Sequence, residues 1–271
     1  MVFNFSKALS FIKKDYCIES SYKMAFLISV ANSFLPIISF FFVSKLIESS
    51  QAESLARYGG EYFPFALIGI AFTRFFQLAI LTFADSIRRS QMAGCLEAVL
   101  CSQTNPKSIV FMSSFYSFIS AGVQLILMFV VGILFFDFDI SRMNVPGTLV
   151  AMVLSLFTFI SLGIFAASGT ILFKKGEPFG YVASTLSSIL GGAYFPIAIM
   201  PAWLQLVSVF VPITYSLDAL RLTMLQNYSI GMISEQLLIL ALVSVVLFPL
   251  SLKTFEWAVE KGKRDGTLVQ H

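Results

Sequence analysis

The sequence predicts an all-α integral membrane protein with six transmembrane helices. Three observations carry that prediction. Hydrophobic residues make up 57% of the chain and charged residues 12%, with a mean hydropathy of +0.85, whereas a soluble domain carries roughly 25% charged residues. Apolar runs long enough to cross a bilayer recur between short polar segments. A further apolar stretch is cut repeatedly by glycine and proline, which reads as a broken, re-entrant lid. This composition excludes a secreted or cytosolic enzyme.

Residues 3–20 come first and read as an amphipathic helix, with Phe5, Leu9, Ile12 and Tyr16 on one stripe and Lys7, Lys13 and Lys14 away from it. Such a helix lies in the cytoplasmic headgroup layer, lysines toward anionic lipid; the alternative is a solvated tail. No cleavable signal peptide is expected, because the first apolar run is too long for a signal core. Val2 does not fit myristoylation. The first span is expected at 24–47, with Pro36 as a kink. A polar outer loop follows, holding Glu48, Glu53, Arg57 and Glu61.

The second span, 62–84, carries Arg74 near its middle, and residues 85–107 form a polar loop long enough for a helix of its own. The third span covers 108–136 and is followed by an acidic outer loop at 137–144. The fourth runs over 146–173 to the tight turn Lys174-Lys175-Gly176-Glu177-Pro178. The fifth begins at Phe179 and leads into the lid at 191–225; the sixth is expected at 236–252, with a charged tail from Lys253 to His271. The whole of 1–271 reads as a single membrane domain.

Basic residues set the orientation. With the N-terminus inside, the cytoplasmic segments hold Lys7, Lys13, Lys14, Lys23, Arg88, Arg89, Lys107, Lys174, Lys175, Lys253, Lys261, Lys263 and Arg264, against Lys45, Arg57, Arg142 and Arg221 outside. The bias places both termini in the cytoplasm and the lid at the outer face of the plasma (inner) membrane. It also argues against residues 202–222 as a complete span, since the basic tail would then be exported.

In the lid, Pro196, Pro201 and Pro212 each remove an amide donor. The run between the last two is about half of the ~20 residues a span requires, so two short half-helices dipping into the outer leaflet are expected. Gly191, Gly192, Phe195, Trp203, Tyr215 and Arg221 are the remaining candidate lid or gate residues. Trp203 and Tyr194 also fit an ordinary interfacial belt. Tyr215, Asp218 and Arg221 are expected to bond to one another and brace the second half-helix. The many methionines and phenylalanines read as lipid-facing or gap-filling side chains rather than a drug-binding cage.

Missing residues exclude several chemistries. The sole histidine is His271, and Cys17, Cys95 and Cys101 have no metal-ligand spacing, so neither a Ser–His pair nor a metal centre is expected. No G-x-x-x-x-G-K-[ST] phosphate loop occurs, and nothing points to nucleic acid. Every Asp and Glu falls in a loop or at a span end, which weighs against an ion-coupled carrier. Arg74 has no carboxylate within a span to pair with. It either faces a pathway and attracts an anionic group such as phosphate, or it is absorbed structurally by backbone carbonyls, by Gln77 or Gln124, or by snorkelling.

The 85–107 loop contains Met92-Ala93-Gly94-Cys95-Leu96-Glu97-Ala98-Val99-Leu100, which resembles the G-T-L-E-x-L-L element of type-2 ATP-binding-cassette (ABC-2) exporter permeases. The lid, with Phe195-Pro196, Pro201-x-Trp203-Leu204, Pro212-x-Thr214-Tyr215 and Ala219-x-Arg221, resembles the second signature of that family. The order of spans extends the resemblance over essentially the whole chain. Cys95 stands where threonine is usual, and Gln103 where proline often follows, with Pro106 slightly later.

The resemblance implies a half-transporter. Two copies, or this chain and a homologous permease, would pair around a central pathway in the lipid bilayer, each docked on a separate ATPase subunit that binds ATP and Mg. No cofactor is expected on this chain. A coupling helix, here about 88–101, would sit in a cleft of the ATPase, with Arg88, Arg89, Gly94, Leu96, Glu97 and Leu100 as its candidate residues. Glu97 would then meet polar groups at the cleft rim; otherwise it is a solvated or intrahelically paired charge. The expected function is ATP-driven export of an amphiphilic cargo: a lipid-linked glycan, a lipid or a hydrophobic drug. An ion-coupled carrier or channel, and a membrane scaffold without transport, are the alternatives.

Overall fold

A computed structural model describes residues 23–47, 52–92, 106–173 and 177–264, together with Lys13. The expected interfacial helix at 3–20 and residues 93–105 of the loop therefore lie outside the described residues. Every regular element among those described is helical. In chain order they are α1 (Lys23–Ile47), α2 (Ala52–Leu55, continuing as a 3-10 turn, Ala56–Tyr58), α3 (Tyr62–Met92), α4 (Pro106–Phe136), α5 (Val145–Phe173), α6 (Glu177–Leu190), a 3-10 turn at Ile197–Ile199, α7 (Ala202–Ser208), α8 (Pro212–Leu225) and α9 (Ser234–Arg264).

Among the described residues α3, α4, α5 and α9 are long and apolar enough to cross a membrane, and the bent pair α7–α8 makes a fifth if taken as one span. Four of the six expected spans are thus supported; the bent pair was expected as the lid rather than as a span, and the count of six is not reached among the described residues. In α1 the described apolar stretch is Phe34–Leu46. α6 has 14 residues, about 21 Å of helix against a hydrocarbon core of about 30 Å.

Two boundaries differ from expectation. α3 continues to Met92 rather than ending at residue 84, and α9 runs to Arg264, past the expected span end at 252 and into the charged tail. Packing explains both. Phe83 and Ile87 on α3 join Ile164, Ala167 and Ile171 on α5 and Phe255, Ala258 and Val259 on α9 in a second apolar cluster. Polar residues alternate with these buried ones, so local polarity rises while the helices go on burying one face.

α3 and α5 form the centre of the molecule. The Phe76 and Phe159 rings stack with centroids 4.3 Å apart. Beside them Gly163 allows a close approach, since a Cβ there would stand 2.7 Å from the Ala79 carbonyl oxygen, the small-residue packing by which helices approach closely in a bilayer. Hydroxyl pairs tie the outer helices on. Thr158 and Ser244 share a hydrogen bond of 2.7 Å between α5 and α9, and Thr148 donates to Thr223 at 3.0 Å between α5 and α8.

The broken region follows the expectation of two short helices. Pro201 precedes α7, Pro212 occupies its first turn position in α8, and the two axes differ by 87°. Gly192 turns the chain with φ +70°, a conformation that favours glycine. Backbone groups freed at such breaks must find partners, and side chains supply them. Ser208 donates to the Leu190 carbonyl (2.6 Å), Thr214 to Ser208 (2.9 Å), Gln205 to Met200 (2.8 Å) and Tyr215 to Val209 (2.9 Å).

Candidate functional site: the braced lid

The two half-helices are unequal. α8 buries nine side chains, among them Leu217, Leu220 and Leu222, whereas α7 leaves Trp203, Leu206, Val207 and the following Phe210 exposed. The lid therefore has an anchored arm and an uncovered, apolar arm. The exposure of Trp203 suits an interfacial belt residue.

Arg221 anchors α8. It is 3% exposed, and its guanidinium lies over the Phe65 ring at 3.5 Å. Nε donates to the Phe65 carbonyl (3.2 Å), Nη1 to Gly192 (3.0 Å) and Nη2 to Ala193 (2.9 Å). The planar fork of arginine suits this, since several N–H groups can point at fixed acceptors from one rigid head. Gly69, one turn beyond Phe65 on α3, makes the approach possible: a Cβ there would collide with the Ala193 carbonyl oxygen and with the guanidinium. Gly191 is constrained in the same way, its Cβ position being taken by the Ile213 side chain. Tyr62 donates to the Tyr194 carbonyl at 2.9 Å, and Phe40 stacks on Tyr194 at 5.4 Å, so α1 and α3 both hold the turn that enters the lid.

Asp218, one helical turn before Arg221, forms the outer brace. It accepts hydrogen bonds from Arg57 Nη2 (2.9 Å), Tyr58 OH (2.8 Å) and Gln236 Nε2 (2.8 Å). One carboxylate thus ties α8 to the turn after α2 and to the start of α9. Burial, and then the Asp218 carboxylate, push the Tyr58 phenol well above its ordinary range, so it remains a donor. Between these groups lies an open cleft of about 340 Å³, lined among others by Arg57, Tyr58, Pro196, Tyr215, Asp218 and Glu235.

The expected bracing is present, but its partners differ. Tyr215 bonds to Val209, Asp218 to Arg57, Tyr58 and Gln236, and Arg221 to carbonyls. Side chains three apart on a helix can meet, but here the guanidinium of Arg221 is taken by the carbonyls of Phe65, Gly192 and Ala193 and the Asp218 carboxylate by donors from outside α8. Arg57, Tyr58, Phe65, Gly69 and Gln236 were not singled out from sequence. A glycine amid bulky apolar residues in the second span was the one local signal, since such glycines mark close approach.

Other candidate residues lie elsewhere. Arg88 and Arg89 are near the C-terminal end of α3, half-exposed and exposed, while Gly94, Leu96, Glu97 and Leu100 fall outside the described residues. Phe195 and Pro196 line the entry to the lid, Pro196 immediately preceding the 3-10 turn. Arg74 is half-exposed on α3, and its one hydrogen bond among the described residues is long, 3.4 Å from Nη2 to the Asn32 carbonyl. The carbonyl contact is the kind the structural alternative named, whereas Gln77, offered there as a partner, donates to the Ser184 carbonyl on α6.

A search of curated proteins returns no match to this chain. The profile of the family described as ABC-2 type transporter matches residues 14–225, from ahead of the first expected span through the broken region to the end of α8. The chain is a multi-pass membrane permease component and belongs to the ABC-2 type transporter family.

Proposed function

We infer that this chain is the membrane subunit of an ATP-driven exporter. It pairs with a second copy or a homologous permease, and each subunit rests on a separate ATPase that binds ATP and Mg. The supporting observation is the lid: two half-helices bent by 87°, one locked into the bundle and one uncovered, within a chain matched along most of its length by the family profile. The inward bias of Lys and Arg supports cytoplasmic termini in the plasma (inner) membrane and a lid at the outer leaflet. An outward gate fits an export direction, and the uncovered apolar arm fits an amphiphilic cargo such as a lipid-linked glycan, a lipid or a hydrophobic drug.

In this reading residues 88–101 pass the ATPase motion to α3. Leu96 and Leu100 fill an apolar cleft, and Glu97, Arg88 and Arg89 meet its polar rim. α3 is suited to transmit that motion because its inner end is clasped by α5 and α9 while its outer half carries the Arg221 contacts.

The test is co-expression with an ABC-type ATPase from the same genome, chosen by its phosphate loop. Co-purification with the wild-type chain, lost with Leu96→Ala/Glu97→Ala, is expected. Nucleotide-independent transport in vesicles by the isolated chain would instead identify an ion-coupled carrier or channel.

A further inference from the structure

α3 is the most enclosed long helix, with 78% of its apolar stretch buried against 22%, 39% and 17% for α4, α5 and α9. The uncovered faces of those three are apolar, presenting residues such as Ile126, Val153 and Leu242, as expected of lipid-facing helices. The uncovered strip of α3 is different. Its members are Arg74, Gln77, Leu81, Asp85 and Arg88, all half-exposed, with exposed Arg89 at the inner end. At 100° per residue these fall within about 60° of Arg74, on one line along the helix. Leu78 is the one exposed large hydrophobic residue among the described side chains of α3.

Polar neighbours flank the strip. Asn32 of α1 is exposed, its carbonyl accepting from Arg74, and Gln77 bonds to α6. Arg74 lies about 18 Å from the start of α3 at Tyr62 and about 22 Å from Arg89, near mid-depth. A cation at that level needs water or a partner, and among the described residues Arg74 has one long bond to a carbonyl, which uses one of its five N–H donors. Asp85, about 16 Å away along the helix, is too distant to pair with it. The strip carries one carboxylate against three guanidinium groups.

We propose that this strip of α3 lines the inner half of the transport pathway and that Arg74 recognises a phosphate-bearing headgroup on an amphiphilic cargo. The proposal rests on the permease reading above and adds the cargo's charge. A cargo entering from the cytoplasmic side passes the ATPase contact at Arg88 and Arg89 and reaches Arg74 with its tail against the apolar surroundings of Leu78 and Leu81.

The test measures binding to the full-length chain in neutral maltoside micelles, which needs no ATPase and is independent of the co-purification result. Farnesyl diphosphate, farnesol and inorganic diphosphate are compared. Farnesyl diphosphate should bind saturably to wild type, at least about tenfold more weakly to Arg74→Gln, the order expected for one lost charge-assisted hydrogen bond, and at intermediate strength to Arg74→Lys. Farnesol should not distinguish the three forms, and inorganic diphosphate should bind far more weakly than its farnesyl ester. Equal binding of farnesyl diphosphate by wild type and Arg74→Gln, or no binding by either, overturns the proposal. Inorganic diphosphate binding as tightly as the ester overturns the amphiphile. If Arg74→Gln does not fold, Arg74→Lys and the salt dependence of wild-type binding decide: unchanged affinity in Arg74→Lys together with no weakening by salt overturns it.

Discussion

Replacing Arg221 by methionine tests the brace most directly. Methionine keeps a long unbranched side chain that can lie on Phe65, so the packing loss is small. What disappears is the donor set. The Phe65 carbonyl lies within α3, but those of Gly192 and Ala193 lie in a turn where Arg221 is the hydrogen-bond donor to each. Leaving two buried acceptors without partners costs about 1–3 kcal/mol each. Removing a buried charge offsets part of this, because an arginine 3% exposed has given up its hydration. A net loss of about 3 kcal/mol is expected, roughly 6–12 °C in melting temperature at 2–4 °C per kcal/mol. Unfolding in detergent followed by tryptophan fluorescence reads it, with Trp203 in the lid itself. Arg221→Lys should fall between, since one ammonium cannot reach all three oxygens. A melting temperature for Arg221→Met within 1 °C of wild type, about 0.5 kcal/mol or less, would refute the reasoning, because the carbonyls would then be satisfied some other way.

Gly69→Ala should weaken the same contact from the opposite side, because the added methyl group occupies the space of the Ala193 carbonyl and the guanidinium; increased proteolysis in the 191–201 segment checks it. At the outer brace, Arg57 is 58% exposed, so Arg57→Ala should change stability by no more than about 1 kcal/mol. Asp218→Ala also removes the acceptor of Tyr58 and Gln236 and should cost about 2–4 kcal/mol; equal melting curves for the two variants would contradict the three-way brace. Truncation after Leu252 removes buried Phe255, Ala258 and Val259 and should cost on the order of 4 kcal/mol, whereas a loose tail would be dispensable; thermal stability of the truncated chain decides.

The helical class and the four long spans were legible because a bilayer demands uninterrupted apolar length, and α3, α4, α5 and α9 supply it. The broken lid was legible for the converse reason: Pro201 and Pro212 act locally, so their effect is written where they stand. The ends of α3 and α9 were not. Phe255, Ala258, Val259 and Gly262 are spaced as a helical face, but lysines and glutamates between them resemble a solvated tail until Phe83 and Ile87 are known to lie opposite. The brace was hidden for a different reason. Asp218 and Tyr58 are 160 positions apart, and no local pattern announces a contact made by the packing of α8 on α3.

The acceptors that hold Arg221 are peptide oxygens, which neither take up a proton in the physiological range nor exchange partners with dissolved ions. A gate secured by carboxylates would loosen whenever the outside medium turned acid or briny. The Arg221 contacts are indifferent to both, so acid or salt acts on this arm only through the Asp218 carboxylate and its exposed partner Arg57, and in the proposed mechanism the Arg221 anchor yields to motion of α3 instead.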